Sequence, residues 1–112
     1  MRRSAESADL DQAAPVFAAL GDATRLALVA RLCTDGPLSI VRLTAGSAVT
    51  RQAITKHLSV LASAGLVRDV RRGRERIWEL DLDRLAEARA CLDEISHQWD
   101  EVLDRLRKFV EE

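Results

Sequence analysis

The chain has 112 residues, of which 47% are hydrophobic and 31% charged, and its formal net charge is −1 at pH 7. This length predicts one domain, and because so small a domain buries only a limited core, it favours an additional interface such as a dimer. There is no run of 18 apolar residues, and residues 4–9 are polar where a signal peptide would be apolar. We therefore expect a cytoplasmic protein with no membrane partner. Its two cysteines are too few for a disulfide framework.

The charges are unevenly distributed along the chain. Residues 1–49 hold five basic and five acidic side chains, residues 50–76 hold seven basic against two acidic, and residues 77–112 hold five basic against eleven acidic. A basic middle section predicts a surface that attracts an anionic polymer, and the acidic C-terminal third is expected to face away from it.

The N-terminal part predicts a tail followed by a helix. Residues 1–10 are expected to form a flexible tail, and residues 11–112 a single domain. A first helix is predicted from about Asp11 to Leu20. Pro15 implies that this helix starts late or bends, because proline is tolerated only in the first turn of a helix.

Residues with N-cap chemistry precede the next three predicted helices. Asp22 is expected to cap the second helix, Ser39 a brief third helix, and Thr50 a fourth helix that Gly65 ends with a left-handed residue. The apolar sides of the second and fourth helices are predicted to carry Leu26, Val29, Leu32 and Cys33, and Ile54, Leu58 and Leu61, respectively. The short helix, turn and longer helix over residues 39–63 form a helix-turn-helix.

A hairpin and a long helix complete the predicted fold. Two apolar stretches flank the turn Arg72-Gly73-Arg74, which predicts a β-hairpin, or wing, over about residues 67–80. Asp81 or Asp83 is expected to cap a last helix over about residues 82–110. The fold is therefore predicted to be mainly α with a small β-hairpin, a winged helix-turn-helix with long N- and C-terminal dimerisation helices.

The fourth helix and the wing together predict a surface that binds duplex DNA. The major groove admits an α-helix, whose first turns reach the base edges. The predicted contacts from this helix are Thr50, Arg51, Gln52, Thr55, Lys56 and His57. The wing arginines are expected to contact phosphates or a neighbouring minor groove, and they are Arg68, Arg71, Arg72, Arg74 and Arg76.

At these residues the sequence resembles the ArsR/SmtB family of winged-helix repressors, from about Val16 to Leu80. Residues 19–25 (ALGDATR) are similar to the opening segment of the family, residues 50–61 (TRQAITKHLSVL) to its recognition helix, and Arg72-Gly73-Arg74 with Ile77-Trp78 to its wing. The resemblance implies a homodimer that represses an operator, often its own promoter, until a signal releases it.

Many members of this family sense metals, and this sequence departs from their sites. The best-known site is a cysteine pair on the short helix before the recognition helix, whereas residues 39–44 here contain no thiol, imidazole or carboxylate. A second family site uses Asp, His and Glu across the last helices of two subunits, whereas this last helix offers a single histidine, His97. We therefore expect no metal and no cofactor, and a place in the non-metal branch of the family.

The last helix carries an apolar heptad pattern, which is typical of a helix-packing seam. One interpretation is that this seam covers the core of its own monomer. We favour a homodimer interface, because a helix this long has more apolar surface than one small domain needs. The residues predicted at this interface are Phe17, Leu85, Leu92, Ile95, Trp99, Val102, Leu106 and Phe109, with a ligand pocket near Trp99 as a further hypothesis.

Three alternatives accompany the DNA-binding interpretation. Cys33 and Cys91 fit either a redox switch, which requires Cα atoms within about 7 Å, or two buried and inert thiols, which we favour. A redox-responsive repressor or one with an unidentified small-molecule effector therefore stays open. A winged helix that only docks proteins is disfavoured by the basic residues of 50–76. An enzyme is disfavoured because no nucleophile with a placed acid or base, no phosphate-binding glycine loop and no metal cluster is found.

Overall fold

The computed structural model describes the backbone of residues 2–111 and the side chains of residues 10–111. Within these residues the elements follow in the order α1 (Arg2–Leu20), α2 (Ala23–Asp35), β1 (Leu38–Ser39), α3 (Ile40–Thr44), α4 (Arg51–Ser63), β2 (Val67–Arg72), β3 (Glu75–Leu80) and α5 (Leu82–Glu111). A helix-turn-helix and a hairpin flanked by two long helices confirm the mainly α, winged helix-turn-helix prediction.

The first helix begins earlier than the sequence predicted. The α1 helix has the bounds Arg2–Leu20, whereas a start at about Asp11 was predicted. Residues 1–9 of the expected flexible tail lie outside the residues whose side chains the structure describes, and the tail stays a prediction. Pro15 lies inside the helix, where it removes one backbone hydrogen-bond donor.

The buried side of α2 differs from the predicted one. Leu28, Val29 and Leu32 are buried, whereas Leu26 is 53% exposed and Cys33 is also exposed. Two of the four residues expected on the apolar side therefore face away from the core. The predicted N-cap is confirmed, because a carboxylate oxygen of Asp22 accepts a hydrogen bond from the Arg25 backbone N–H at 3.0 Å.

The fourth helix is held by its apolar face and by both of its ends. Ile54, Leu58 and Leu61 are buried, and the Thr50 hydroxyl accepts a hydrogen bond from the Ala53 backbone N–H at 3.1 Å. At the other end Gly65 has a φ of 80° and its N–H donates to the Ala62 carbonyl, while the next residue's N–H donates to the Leu61 carbonyl. These two bonds form a Schellman motif, which confirms the predicted glycine stop.

The sheet has three antiparallel strands in the order β1-β3-β2. Val67 pairs with Leu80 at the base of the hairpin and Arg72 with Glu75 at its tip, which leaves Gly73 and Arg74 as a two-residue turn. Gly73 has a φ of 64°, which fits the first position of a type II′ turn.

The last helix extends well beyond the core. The Asp81 carboxylate caps α5 by accepting from the Arg84 backbone N–H at 3.2 Å, which selects Asp81 over Asp83 as the cap. The core cluster includes Ala88, with Leu85 packed against it, and comprises no later residue of α5. Thirty residues of helix span about 45 Å, and the molecule is 66 Å in its longest dimension.

No single helix among the described residues has the length and apolarity to cross a membrane. The segments Leu10–Leu20 and Ala23–Asp35 meet those requirements only as a pair, and the pair is bent by 101°.

Burial of Leu58 is expected to stabilise the helix-turn-helix strongly. This side chain is fully buried, so Leu58→Ala leaves a cavity and should lower the free energy of unfolding by about 2–5 kcal/mol. Urea denaturation followed by circular dichroism measures the loss. Val60→Ala is the matched control, since Val60 lies on the same helix but is 42% exposed. Equal losses in the two variants would contradict the proposed packing of α4.

The Asp22 cap is expected to make stability depend on pH. The hydrogen bond from the Arg25 backbone N–H, together with the positive charge of the Arg25 side chain, lowers the pKa of Asp22 below its usual 3.8. A carboxyl group with a lowered folded-state pKa stabilises the fold above its unfolded pKa, and this stabilisation is lost as the pH falls through the folded value. Asp22→Ala should therefore lower the urea midpoint at pH 7, and its difference from the wild type should shrink below about pH 4.

Asp22→Asn distinguishes the effect of the negative charge from that of the capping hydrogen bond, because asparagine caps helices as well as aspartate does. Its midpoint at pH 7 should lie between those of the wild type and Asp22→Ala. A deficit of Asp22→Ala that is the same at neutral and acidic pH would show that the charge contributes nothing.

Candidate nucleic-acid interface

The exposed side of α4 carries a row of polar residues. Arg51, Gln52, Thr55 and Lys56 are all exposed, opposite the buried Ile54, Leu58 and Leu61. Four of the exposed residues share one helical face at spacings of three, four and seven residues, and they are Gln52, Thr55, Lys56 and Ser59. The helix therefore presents hydrogen-bonding groups of a kind that can reach base edges.

Ser59 is a member of this row that the sequence analysis missed. It lies one turn beyond Thr55 and two turns beyond Gln52, and it is exposed. The spacing from Gln52 was the signal that could have identified it. Serine hydroxyls are among the groups that hydrogen-bond to DNA phosphates, so Ser59 is a candidate for such a contact.

Thr55 and Gln52 differ in what they offer to a ligand. The Thr55 hydroxyl donates a hydrogen bond to the Arg51 carbonyl at 2.9 Å. The Thr55 hydroxyl proton is therefore already used within the helix. The Thr55 methyl group needs no hydrogen bond and can contact the methyl group of a thymine. Gln52 has no hydrogen-bond partner among the described residues, so its amide retains both donor and acceptor capacity.

His57 lies apart from the other predicted contacts on this helix. Its side chain is only 24% exposed, and its Nδ1 lies 3.8 Å from a carboxylate oxygen of Asp22. The histidine therefore packs between α4 and the N-terminus of α2, rather than in the exposed row with Gln52 and Lys56.

The five wing arginines divide into two groups. Arg68 donates to the Glu79 carboxylate at 2.8 Å across the hairpin, and Arg76 lies 2.8 Å from the Asp69 carboxylate. The Glu79 carboxylate also raises the pKa of the Arg68 guanidinium above its usual value. These two arginines are neutralised within the wing.

The other three arginines are exposed and form no ion pair within 4 Å in the described part of the chain, and they are Arg71, Arg72 and Arg74. Arg71 lies directly opposite Arg76 in the register of the hairpin. Because Arg76 is paired with Asp69, the uncompensated charge at this position is that of Arg71. The tip of the wing is therefore the part best suited to contact phosphates.

The cysteines and histidines form no obvious reactive cluster. Cys33 and Cys91 are both free; Cys33 is exposed and Cys91 half-buried, so the expectation of two buried thiols is wrong. His97 lies 3.4 Å from Glu101 on the exposed surface of α5. Among the side chains that the structure describes, no group of three His, Cys, Asp or Glu residues is arranged to hold a metal ion.

The predicted interface residues on α5 are largely exposed. Leu92, Ile95, Leu106 and Phe109 are exposed, as is Trp99 at 60%, while Val102 and Leu85 are half-buried. Phe17 of α1 is also half-buried and packs against the core.

An open cavity of about 460 Å³ lies between α2, the base of the wing and the start of α5. Its lining includes Cys33, Arg68 and Asp81, and Trp99 is not part of it. The hypothesis of a ligand pocket near Trp99 stays a prediction.

Comparison with known proteins places this site in a family. The family profile described as a helix-turn-helix domain matches residues 20–70. The chain is 44% identical to the HTH-type transcriptional regulator Rv2034 of Mycobacterium tuberculosis over 75 residues, which is 67% of this chain and 69% of that protein.

Solved structures agree with this assignment. The ArsR-like transcriptional regulator from Rhodococcus sp. RHA1 superposes with a TM-score of 0.75 at 34% identity, over 88% of this chain and 92% of that one. A winged helix-turn-helix DNA-binding domain from Mycobacterium bovis, described as homodimeric, superposes with a TM-score of 0.64 at 24% identity, over 83% and 85% of the two chains. That second likeness concerns the fold alone. The chain therefore belongs to the ArsR family of winged helix-turn-helix transcriptional regulators, which bind DNA and are not enzymes.

Proposed function

We propose that this regulator is a homodimeric repressor that binds a duplex operator at its own gene or an adjacent operon. In this proposal α4 enters the major groove and the wing contacts the flanking backbone. The observation that carries it is the exposed row on α4, which contains Gln52 and Lys56 and is followed in the chain by a wing whose tip arginines have no ion-pair partners.

The two parts of the surface have different roles. Arginine, glutamine and threonine in the first turns of a groove-bound helix recognise guanine, adenine and thymine, respectively. We assign sequence selection to Arg51, Gln52 and Thr55, with Thr50 and Lys56 beside them. Phosphate contacts by Arg71, Arg72 and Arg74 supply affinity and register, but no direct sequence information. Arg68, Arg76 and His57 contribute less in this proposal, since acidic neighbours already contact them.

The apolar seam of α5 supports a dimer of two such chains. Only Ala88 on this helix is buried, while the seam from Leu92 to Phe109 is exposed apart from the half-buried Val102. A continuous row of exposed apolar side chains is typical of an interaction surface. The homodimeric state described for the M. bovis domain is consistent with a second copy of this chain as the partner. A twofold dimer also matches the inverted half-sites of a typical operator.

Binding to DNA from upstream of the gene tests the proposal. The wild type should prefer this DNA to random duplex, and its affinity should fall steeply with salt.

Gln52→Ala should lower affinity for the operator by about 1–3 kcal/mol and relax the preference at one base-pair position, because a base contact is lost. Arg74→Ala should weaken operator and random DNA alike, and reduce the slope of log K against log salt by about 0.9, because a phosphate contact is lost. Fluorescence anisotropy at several salt concentrations measures both.

Arg68→Gln is the matched control for the wing, because it removes the same charge from an arginine already paired with Glu79. Its salt slope should change less than that of Arg74→Ala. A wild-type protein with no preference for any upstream duplex would overturn the repressor proposal. Unchanged regulation in cells by a variant that has lost DNA affinity would favour a protein-docking module.

The dimer is tested by a charge placed on the seam. Leu106→Asp should convert a two-chain particle into a single chain, because the carboxylate would lose its water on association. Leu82→Asp is the control, since Leu82 is an exposed leucine of the same helix outside the heptad pattern. Sedimentation equilibrium at micromolar concentration distinguishes the two masses. A monomeric wild type, or a dimer unaffected by Leu106→Asp, would show that the seam is not the interface.

A further inference from the structure

Arg84, in the first turn of α5, contacts three separate parts of the molecule. Its Nε donates to the Ala64 carbonyl at 3.2 Å, one terminal nitrogen (Nη2) donates to the Gln12 carbonyl at 2.8 Å, and the other (Nη1) donates to the Glu87 carboxylate at 3.0 Å. The side chain is 24% exposed. A single guanidinium therefore joins the end of α4, the middle of α1 and its own helix α5.

The contact at Ala64 completes the end of the recognition helix. The Schellman motif pairs the Ala62 and Leu61 carbonyls, and the carbonyl of Ala64, the C-cap residue, accepts from Arg84 instead. A cation at a helix C-terminus is also favoured by the helix dipole. A Cβ atom on Gly65 would lie 3.4 Å from Nε of Arg84, which is van der Waals distance, so the side chain of Arg84 lies directly against the turn.

The contact at Gln12 reaches a helix far away in the sequence. Gln12 precedes Arg84 by 72 residues, and its carbonyl lies in the stretch of α1 that Pro15 deprives of one hydrogen bond. Besides this bond, α1 packs along α5. Arg84 thus connects α5, which carries the seam of the proposed dimer, and the α1 helix packed along it to the last residues of the DNA-reading helix.

We propose that Arg84 is a positioning residue for operator recognition. It fixes the orientation of α4 relative to α1 and α5, and thereby sets the half-site spacing that the dimer accepts. This inference rests on the proposed dimer, because spacing has meaning only when two recognition helices are held together. A dimer reads half-sites about 34–36 Å apart, so a tilt of each α4 relative to the dimer axis changes which spacing fits.

Arginine suits this role better than lysine. Its planar guanidinium presents five donors in fixed directions, which allows one side chain to satisfy acceptors on two different helices at once. A lysine ammonium at the same position is a flexible point charge, and its contacts do not fix the relative direction of the two helices.

The test compares spacing profiles. Duplexes carry two copies of the operator half-site with the natural spacing or with one or two base pairs added or removed, and dissociation constants are measured by anisotropy. The wild type should lose affinity about tenfold for each misplaced spacing, as for a mismatched base pair. For Arg84→Met and Arg84→Lys the difference between natural and altered spacing should fall to about threefold or less, while binding to a single half-site and its salt slope stay unchanged.

Glu87→Gln is the matched control. It removes the ion pair with Arg84 but leaves both carbonyl contacts, so its spacing profile should follow the wild type. Urea denaturation identifies a variant that has lost its fold, and Arg84→Lys keeps the test available if Arg84→Met does not fold.

The outcomes separate this inference from the dimer proposal. The mass of the wild type in solution tests the dimer alone, and a monomer would overturn both. With a dimeric wild type, variants whose affinity drops equally at every spacing would show that Arg84 only stabilises the fold. An unchanged profile, or variants that dissociate into monomers, would also overturn a positioning role.

Discussion

The burial of the apolar face of α4 is the constraint on which the rest of the structure depends. Leu58 and Leu61 are completely buried, and Leu66, directly after the Schellman turn, is completely buried as well. Rotating the helix by one residue, about 100°, would turn Leu58 and Leu61 away from the core and Gln52 towards it. The same packing energy that stabilises the domain therefore holds the polar row outward. Gln52 needs no hydrogen bond within the protein to be oriented, which leaves its amide donors and acceptor available to the base pair of the proposed complex.

The arginines of the wing likewise divide into a group that stabilises the hairpin and a group that is free to bind a ligand. Arg68 with Glu79 and Arg76 with Asp69 form cross-strand pairs that stabilise the hairpin modestly at this degree of exposure. Towards the tip the arginines have no such partners, so the positive potential is concentrated where the hairpin extends furthest. The acidic residues of α5 belong to another element, which explains how a chain with a net charge of −1 presents a basic surface.

Features governed by local chemistry could be predicted from the sequence, and features governed by distant neighbours could not. The caps at Asp22 and Thr50 and the stop at Gly65 depend on a few adjacent residues, and each is found where it was expected. The direction of His57 depends on Asp22 of another helix, and the neutralisation of Arg68 depends on a residue across the hairpin. The contacts of Arg84 were not predicted for the same reason: one of its acceptors lies 72 residues away, and no local sequence pattern indicates such a partner.

The two parts of α5 link folding to assembly. Leu85 and Ala88 contribute to the core of the single chain. The apolar seam from Leu92 onward is largely exposed to water and does not contribute to that core. In the proposed dimer a second chain covers the seam and buries this surface, which would raise the stability of the fold by mass action and make it depend on protein concentration. The start of α5 also contacts the end of α4 through Arg84, so the helix that carries the proposed dimer seam is hydrogen-bonded to the proposed recognition helix. If both proposals hold, assembly, stability and operator binding should rise and fall together.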